Sequence, residues 1–287
     1  MKFTLCAILL GVAGCLYGQN LVDPISGSYN MGSNDPLGGT HFIVMPDQQF
    51  VVAYFGGMRK GTWERYEDTY QFTYHVEPQF VLYGRKNPSI ADSIQVRVGL
   101  DGNRGFAVRF NGTKTDAFTP IFNEDSNCYS YPYIYKQTAA LEQVDVYAPD
   151  LREYYEGEIH EIPDYYSFKV GATYNEFVLT GLSREYSTER SFTAQFKEGS
   201  MIINGSESIK KSGDYADLNP EDLNYFKQYT TTEIFPPQLE YGNEFFPYND
   251  EPINDDLIPF NRIDAVLVSS DGVVVGGESF FVVRCEE

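Results

Sequence analysis

The chain has 287 residues, of which 41 are Asp or Glu and 21 are Lys or Arg, a formal net charge of −20. That length suits one large domain or two ordinary ones, and 42% hydrophobic with 16% aromatic residues is too apolar for a disordered chain. Phosphate backbones and anionic membranes repel so acidic a molecule, which excludes nucleic acid as a partner and confines membrane contact to a lipid on the N-terminus.

Residues 1–18, MKFTLCAILLGVAGCLYG, combine Lys2, an apolar run and a group of small residues. This is the pattern of a secretory signal peptide, too short to span a bilayer. Two processing readings stand open. Cleavage after Gly18 yields a soluble protein that begins at Gln19. Alternatively, VAGC (residues 12–15) resembles the bacterial lipoprotein box, in which Cys15 takes the lipid. The expected location is the periplasm or cell surface of a Gram-negative bacterium, or its outer membrane if Cys15 is lipidated. No later stretch reaches 18 consecutive apolar residues, so no transmembrane helix is expected. Export leaves Cys128 and Cys285, and an even pair in an oxidising compartment predicts a disulfide. Closing so long a loop favours the folded state by roughly 4–5 kcal/mol in the chain-entropy model.

Residues 19–120 read as an antiparallel β barrel or sandwich. Residues 48–55 are a β-prone run that ends in Gly56-Gly57. The next stretch, YFGGMRKGTWERY, places Gly56, Gly61 and Thr62 at the spacing of a phosphate-binding loop. Such a loop needs Lys directly after its second Gly and a helix behind it. Here Lys60 precedes Gly61, and an aromatic strand follows. Residues 56–61 are therefore read as a hairpin connection, with Arg59 and Lys60 at its tip facing solvent and Trp63 and Phe72 packing in the core. Residues 69–74, TYQFTY, alternate polar and aromatic residues, the period of a half-buried strand. Ile94, Val96, Val98 and Leu100 repeat that period. After the turn pair Asp101-Gly102, so do Phe106, Val108 and Phe110. Asn111-Gly112 marks another turn.

Residues 121–165 form an acidic, Tyr-rich connection, and residues 166–287 a second β-rich part. Net charge is −1 over residues 19–120 but −20 over 121–287. Strands are expected at 166–170, 176–180, 191–197 and 200–203, with Asn204-Gly205 as a hairpin turn. The single short helix is NPEDLNYFKQY, where Asn219 can cap, Pro220 suits the first turn and Leu223 and Phe226 share a face. Residues 235–256 read as a surface loop rich in Pro and acids. The chain closes with an expected hairpin, 263–268 returning at 279–283 through Asp271-Gly272.

The chemistry-bearing residues do not assemble into a motif. His41, His75 and His160 show no zinc spacing. The hydrolase elbow G-x-S-x-G is missing. Residues 249–256, NDEPINDD, are rich in oxygen ligands but lack the calcium-loop spacing. Two glycosylation sequons begin at Asn111 and Asn204 and coincide with Asn-Gly turns. No catalytic residue, metal ligand or cofactor is assigned, and the ligand-binding residues remain open.

GSYNMG (residues 27–32) followed by GGTHFIVMPDQQFVVAYFGGMRKGTWERYEDTYQFTY (residues 38–74) resembles exported bacterial β-rich proteins whose first third, G-x-[YW] then G-T-W, is lipocalin-like. The resemblance covers about the first third of the chain and brings no catalytic residue with it. A lipocalin-like start implies a ligand cavity, although the sequence does not separate an open cup from a filled core. The expectation is an exported, non-catalytic binding or interaction module for a small molecule or an envelope protein. The alternative is an exported hydrolase using carboxylates or a bound metal.

Overall fold

The computed structural model describes residues 23–32, 39–90, 93–100, 105–113, 116–149, 164–171, 173–239, 259–269 and 272–285. Residues 1–18 with Cys15, the Asp101-Gly102 turn, residues 150–163 with His160, and residues 249–256 lie outside them. The fold is mainly β. In chain order the strands are β1 (Gly27–Met31), β2 (Thr40–Val44), β3 (Gln49–Tyr54), β4 (Gly57–Tyr66), β5 (Thr69–Tyr74), β6 (Phe80–Arg85), β7 (Ile94–Gly99), β8 (Ala107–Phe110), β9 (Thr119–Pro120) and β10 (Tyr133–Gln137). They continue as β11 (Gln143–Tyr147), β12 (Tyr165–Lys169), β13 (Glu176–Gly181), the short helix α1 (Arg184–Ser187), β14 (Ser191–Lys197), β15 (Ser200–Ile203) and β16 (Glu207–Asp214). Helix α2 (Pro220–Thr231), β17 (Gln238–Leu239), β18 (Phe260–Ile263) and β19 (Val266–Val268) complete the chain.

Two compact units result, and neither is continuous in sequence. One joins the chain up to Thr73 with Ser191–Thr230; the other joins Tyr74–Arg190 with the chain from Thr231 onward. Compactness thus divides the chain differently from the contiguous parts 19–120, 121–165 and 166–287 read from the sequence. The stretch 121–165 also contributes β10 and β11 to the sheets of the second unit.

The first unit is a closed antiparallel barrel of eight strands, ordered β1-β16-β15-β14-β5-β4-β3-β2. Each strand pairs with its neighbour in the chain, except that β14 follows β5 only after the second unit's strands β6–β13. Thr73 and Ser191 oppose each other directly across β5 and β14. Closure comes from β1 with β16, where Gly27 faces Asp214. The Asn204-Gly205 turn joins β15 to β16 with both residues at positive φ, 48° and 72°, which an Asn-Gly hairpin favours.

Period-2 alternation sends Phe42, Phe50 and Phe72 into the barrel, where all three are buried. The Phe72 ring stacks on Phe192 at 4.8 Å. Phe192 also meets Phe42 at 6.0 Å, although β2 and β14 stand on opposite sides of the ring of strands. The barrel waist is therefore filled by aromatic packing, each ring contributing about 1.5–3 kcal/mol of burial. Trp63 is buried as expected, its indole N–H donating to the Met45 carbonyl at 2.9 Å.

Arg59 and Lys60 correct the expectation of a solvent-facing tip: they are 7% and 8% exposed. The turn itself is confined to Phe55 and Gly56, the latter at φ +84°, and β4 already begins at Gly57. Arg59 pairs with Val52 and Lys60 with Val51, well inside the ladder. Lys60 points outward beneath α2, where its ammonium donates to the Tyr229 carbonyl at 3.3 Å and lies over the Tyr229 ring. The helix forms where the sequence places it. Asn219 accepts the Glu221 N–H at 2.8 Å, and Leu223 and Phe226 are half-buried on the face that carries Tyr229.

The second unit is a sandwich. Its six-stranded sheet runs β10-β7-β13-β6-β18-β17, and its five-stranded sheet runs β19-β12-β11-β8-β9. Phe80, Leu82, Val96, Phe177 and Leu179 of the first meet Val108, Val144, Val146 and Phe168 of the second in one core. The outer face of the six-stranded sheet carries Val81, Tyr83, Val178, Leu239 and Phe260, which pack with Ile234 and Phe235.

The expected closing hairpin does not form as such. Residues after Gly272 instead run alongside β9, with parallel bridges Phe118–Val275 and Phe122–Phe281. A local Asp-Gly turn signal is outcompeted here by pairing with chain some 150 residues earlier.

Candidate functional site

Three places could carry function: the barrel interior, the buried charges of the sandwich, and the C-terminal segment. In the barrel, a Cβ on Gly61 would strike the Phe50 ring, which fixes that face of β4 as interior. Arg59 shares this face by parity and brings a guanidinium close to the β3–β4 end of the barrel. Near Trp63, the Tyr70 hydroxyl donates to Asp23 at 2.7 Å, and Arg65 pairs with the same carboxylate at 3.1 Å. Burial pushes the Tyr29 and Tyr70 phenols up, and the Asp23 carboxylate raises Tyr70 further.

Each sandwich sheet has an arginine–carboxylate pair on its outer face. Arg109 donates through Nε and Nη2 to one Asp145 oxygen, at 3.0 and 2.7 Å, and its third contact is the Asp116 carbonyl. Its guanidinium lies 4.3 Å from the Phe118 ring centroid and 5.1 Å from that of Tyr165. Glu176 accepts from Arg85 at 2.6 Å and from Asn87 at 2.9 Å, and Arg97 approaches its other oxygen at 3.7 Å. Arg85, Glu176 and Asp145 are each at most 2% exposed. Carboxylates held this way are buried structural anions, with lone pairs already committed.

His41 and His75 are exposed, and His75 approaches Glu77 at 3.4 Å. Among the described residues no three His, Cys, Asp or Glu side chains converge on one point.

The C-terminal segment is different. Cys128 and Cys285 form the expected disulfide, with Cα atoms 5.2 Å apart. Between Gly272 and that bond the chain lies along the β9 edge. Phe118 donates to Val274 at 2.8 Å, Gly276 donates back to Phe118 at 2.9 Å, and Phe280 and Phe281 donate to Pro120 and Ile121, each at 3.0 Å. Phe280 closes on Phe110 and Tyr135, and Phe281 on Phe122 and Tyr133, so the two rings seal the seam between the sheets. On the opposite side of the five-stranded sheet, β19 is the end strand, and Val266 and Leu267 are 64% and 55% exposed. Val274, Val275 and Val282 of the segment are exposed as well. Sequence reasoning assigned none of these residues. The signal is present in VLVSSDGVVVGG, an apolar run whose Asp-Gly pair predicts a closing hairpin.

Comparison with protein-family models, with curated proteins and with solved structures returns no match, so function has to be read from these residues themselves.

Proposed function

We propose that the chain is an exported, non-catalytic interaction module of a Gram-negative envelope, which engages an envelope protein through the end strand β19 of its sandwich. One observation carries this reading. Of the ten large hydrophobic side chains exposed among the described residues, Val266 and Leu267 share the end strand β19, while Val274, Val275 and Val282 lie along the β9 edge on the other side of the same sheet. Val266 and Leu267 stand on the end strand β19, and water-facing apolar groups on an end strand favour pairing with another polypeptide, which supplies backbone hydrogen bonds and covers the side chains. The signal-like leader and the Cys128–Cys285 disulfide support export, because such bonds persist in oxidising compartments. Lipid attachment at Cys15 remains the alternative mode of retention.

Capture from envelope extract with tagged wild-type chain, beside a Val266→Lys, Leu267→Lys variant, tests the proposal. Wild type retains a discrete partner and the variant loses it, while both melt at similar temperatures because exposed substitutions cost little. Equal capture by both proteins removes the edge from the account.

Arg59 favours a second reading, a small molecule bound in the lipocalin-like barrel. A guanidinium on the interior face would pair with an anionic head group. The filled waist restricts such a ligand to one end. A long-chain carboxylate that raises the melting temperature of wild type, but not of Arg59→Gln, would support it.

A further inference from the structure

The C-terminal segment is fastened at its end by a covalent bond that solvent can reach, since Cys128 and Cys285 are both exposed. Inward of that bond it is held by single hydrogen bonds to the β9 edge and by Val273, Phe280, Phe281 and Val283. The Val283 N–H donates to the Asn123 side chain at 2.6 Å, two residues before the cysteine. Beneath the segment lie Phe110, Phe122, Tyr133 and Tyr135, aromatic groups from both sides of the seam. The segment supplies no strand to either sheet order, so lifting it breaks no strand pairing of β6–β8 or β10–β13.

From this arrangement we propose that residues 273–285 are a redox-controlled strap, closed by the Cys128–Cys285 disulfide and released by a dithiol reductant to uncover an aromatic groove at the sandwich seam. In the opening step a thiolate of the reductant attacks one sulfur and the other cysteine leaves as thiolate. The reductant's second thiol then resolves the mixed disulfide. Two electrons and two protons pass to Cys128 and Cys285, and the reductant becomes a cyclic disulfide. The strap is then held by its edge hydrogen bonds and by the side chains of Val273, Phe280, Phe281 and Val283, and it opens locally. This device stands whether or not β19 binds a partner.

Amide hydrogen exchange on the full chain tests it, with the protein oxidised, reduced by dithiothreitol, and as the Cys128→Ser, Cys285→Ser variant. The amides of Gly276, Phe280, Phe281 and Val283 report the strap; those of Val96, Val178 and Phe50 report the sandwich and the barrel. Reduction and the double variant should each accelerate the strap amides by about tenfold or more while the others hold. Reoxidation should restore the slow rates in wild type only. Unchanged strap rates on reduction would overturn the proposal. Equal acceleration of Val96 and Val178 would also overturn it, since the bond would then be a general staple of the sandwich.

Discussion

Gly61 shows how one missing side chain shapes the barrel. A Cβ at this position would meet the Thr73 carbonyl oxygen on β5 and the Phe50 ring. Gly61→Ala must displace a strand or the phenylalanine cluster, and should cost about 1–3 kcal/mol in urea unfolding. Unchanged stability would mean that the waist yields easily. Asp145 is the corresponding test in the sandwich. Asp145→Ala leaves the Arg109 charge buried between Phe118 and Tyr165, a loss of about 3–5 kcal/mol, whereas replacing both partners with apolar residues of similar size should recover most of it. The buried tyrosines set an alkaline limit. Tyr29 and Tyr70 are raised in the folded state above the ordinary value of 10.0, mainly by burial. Their stabilising contribution is thus complete below that value and is lost as pH rises above it through the folded values. The melting temperature should fall as the pH passes about 10, and Tyr70→Phe should flatten that fall. A profile identical in wild type and variant would contradict the assignment.

At the scale of elements, helix α2 is joined to the barrel wall by its last turn. The Tyr229 hydroxyl donates to the Met58 carbonyl at 2.6 Å, and the Tyr229 carbonyl receives Lys60. Tyr229→Phe should lose about 1 kcal/mol, and Tyr229→Ala about 3–5 kcal/mol through the lost ring, both measurable by chemical denaturation. A helix undisturbed by either change would be independent of the barrel. Local order was legible in the sequence. TYQFTY alternates because one face of β5 is interior, Asn219 caps because its side chain reaches the Glu221 N–H, and Asn204-Gly205 turns because both residues accept positive φ. Distant contacts were not legible. Lys60 looked like a solvent group because its cover, Tyr229, is 169 residues away. The exposed β19 and the strap were mistaken for a hairpin for the same reason: Asp271-Gly272 is a local signal, and the partner of the strap is residues 118–123. The disulfide is legible in the sequence because it follows from the expected export and an even pair of cysteines, without geometry.

For the whole molecule, the barrel is interrupted in sequence yet complete in structure, because β5 and β14 meet across the point where the second unit is inserted. No pattern within residues 19–74 could announce that strands after residue 190 would close the ring. In the proposed reading the barrel is a scaffold and the sandwich carries the interaction. The most direct test exploits the pairing of Thr73 with Ser191. Joining those residues through an Asn-Gly turn, with the chain ended after α2, gives the barrel alone. Capture from envelope extract should show this cooperatively melting barrel retaining none of the partner held by the full chain. Retention of that same partner by the barrel would contradict the account.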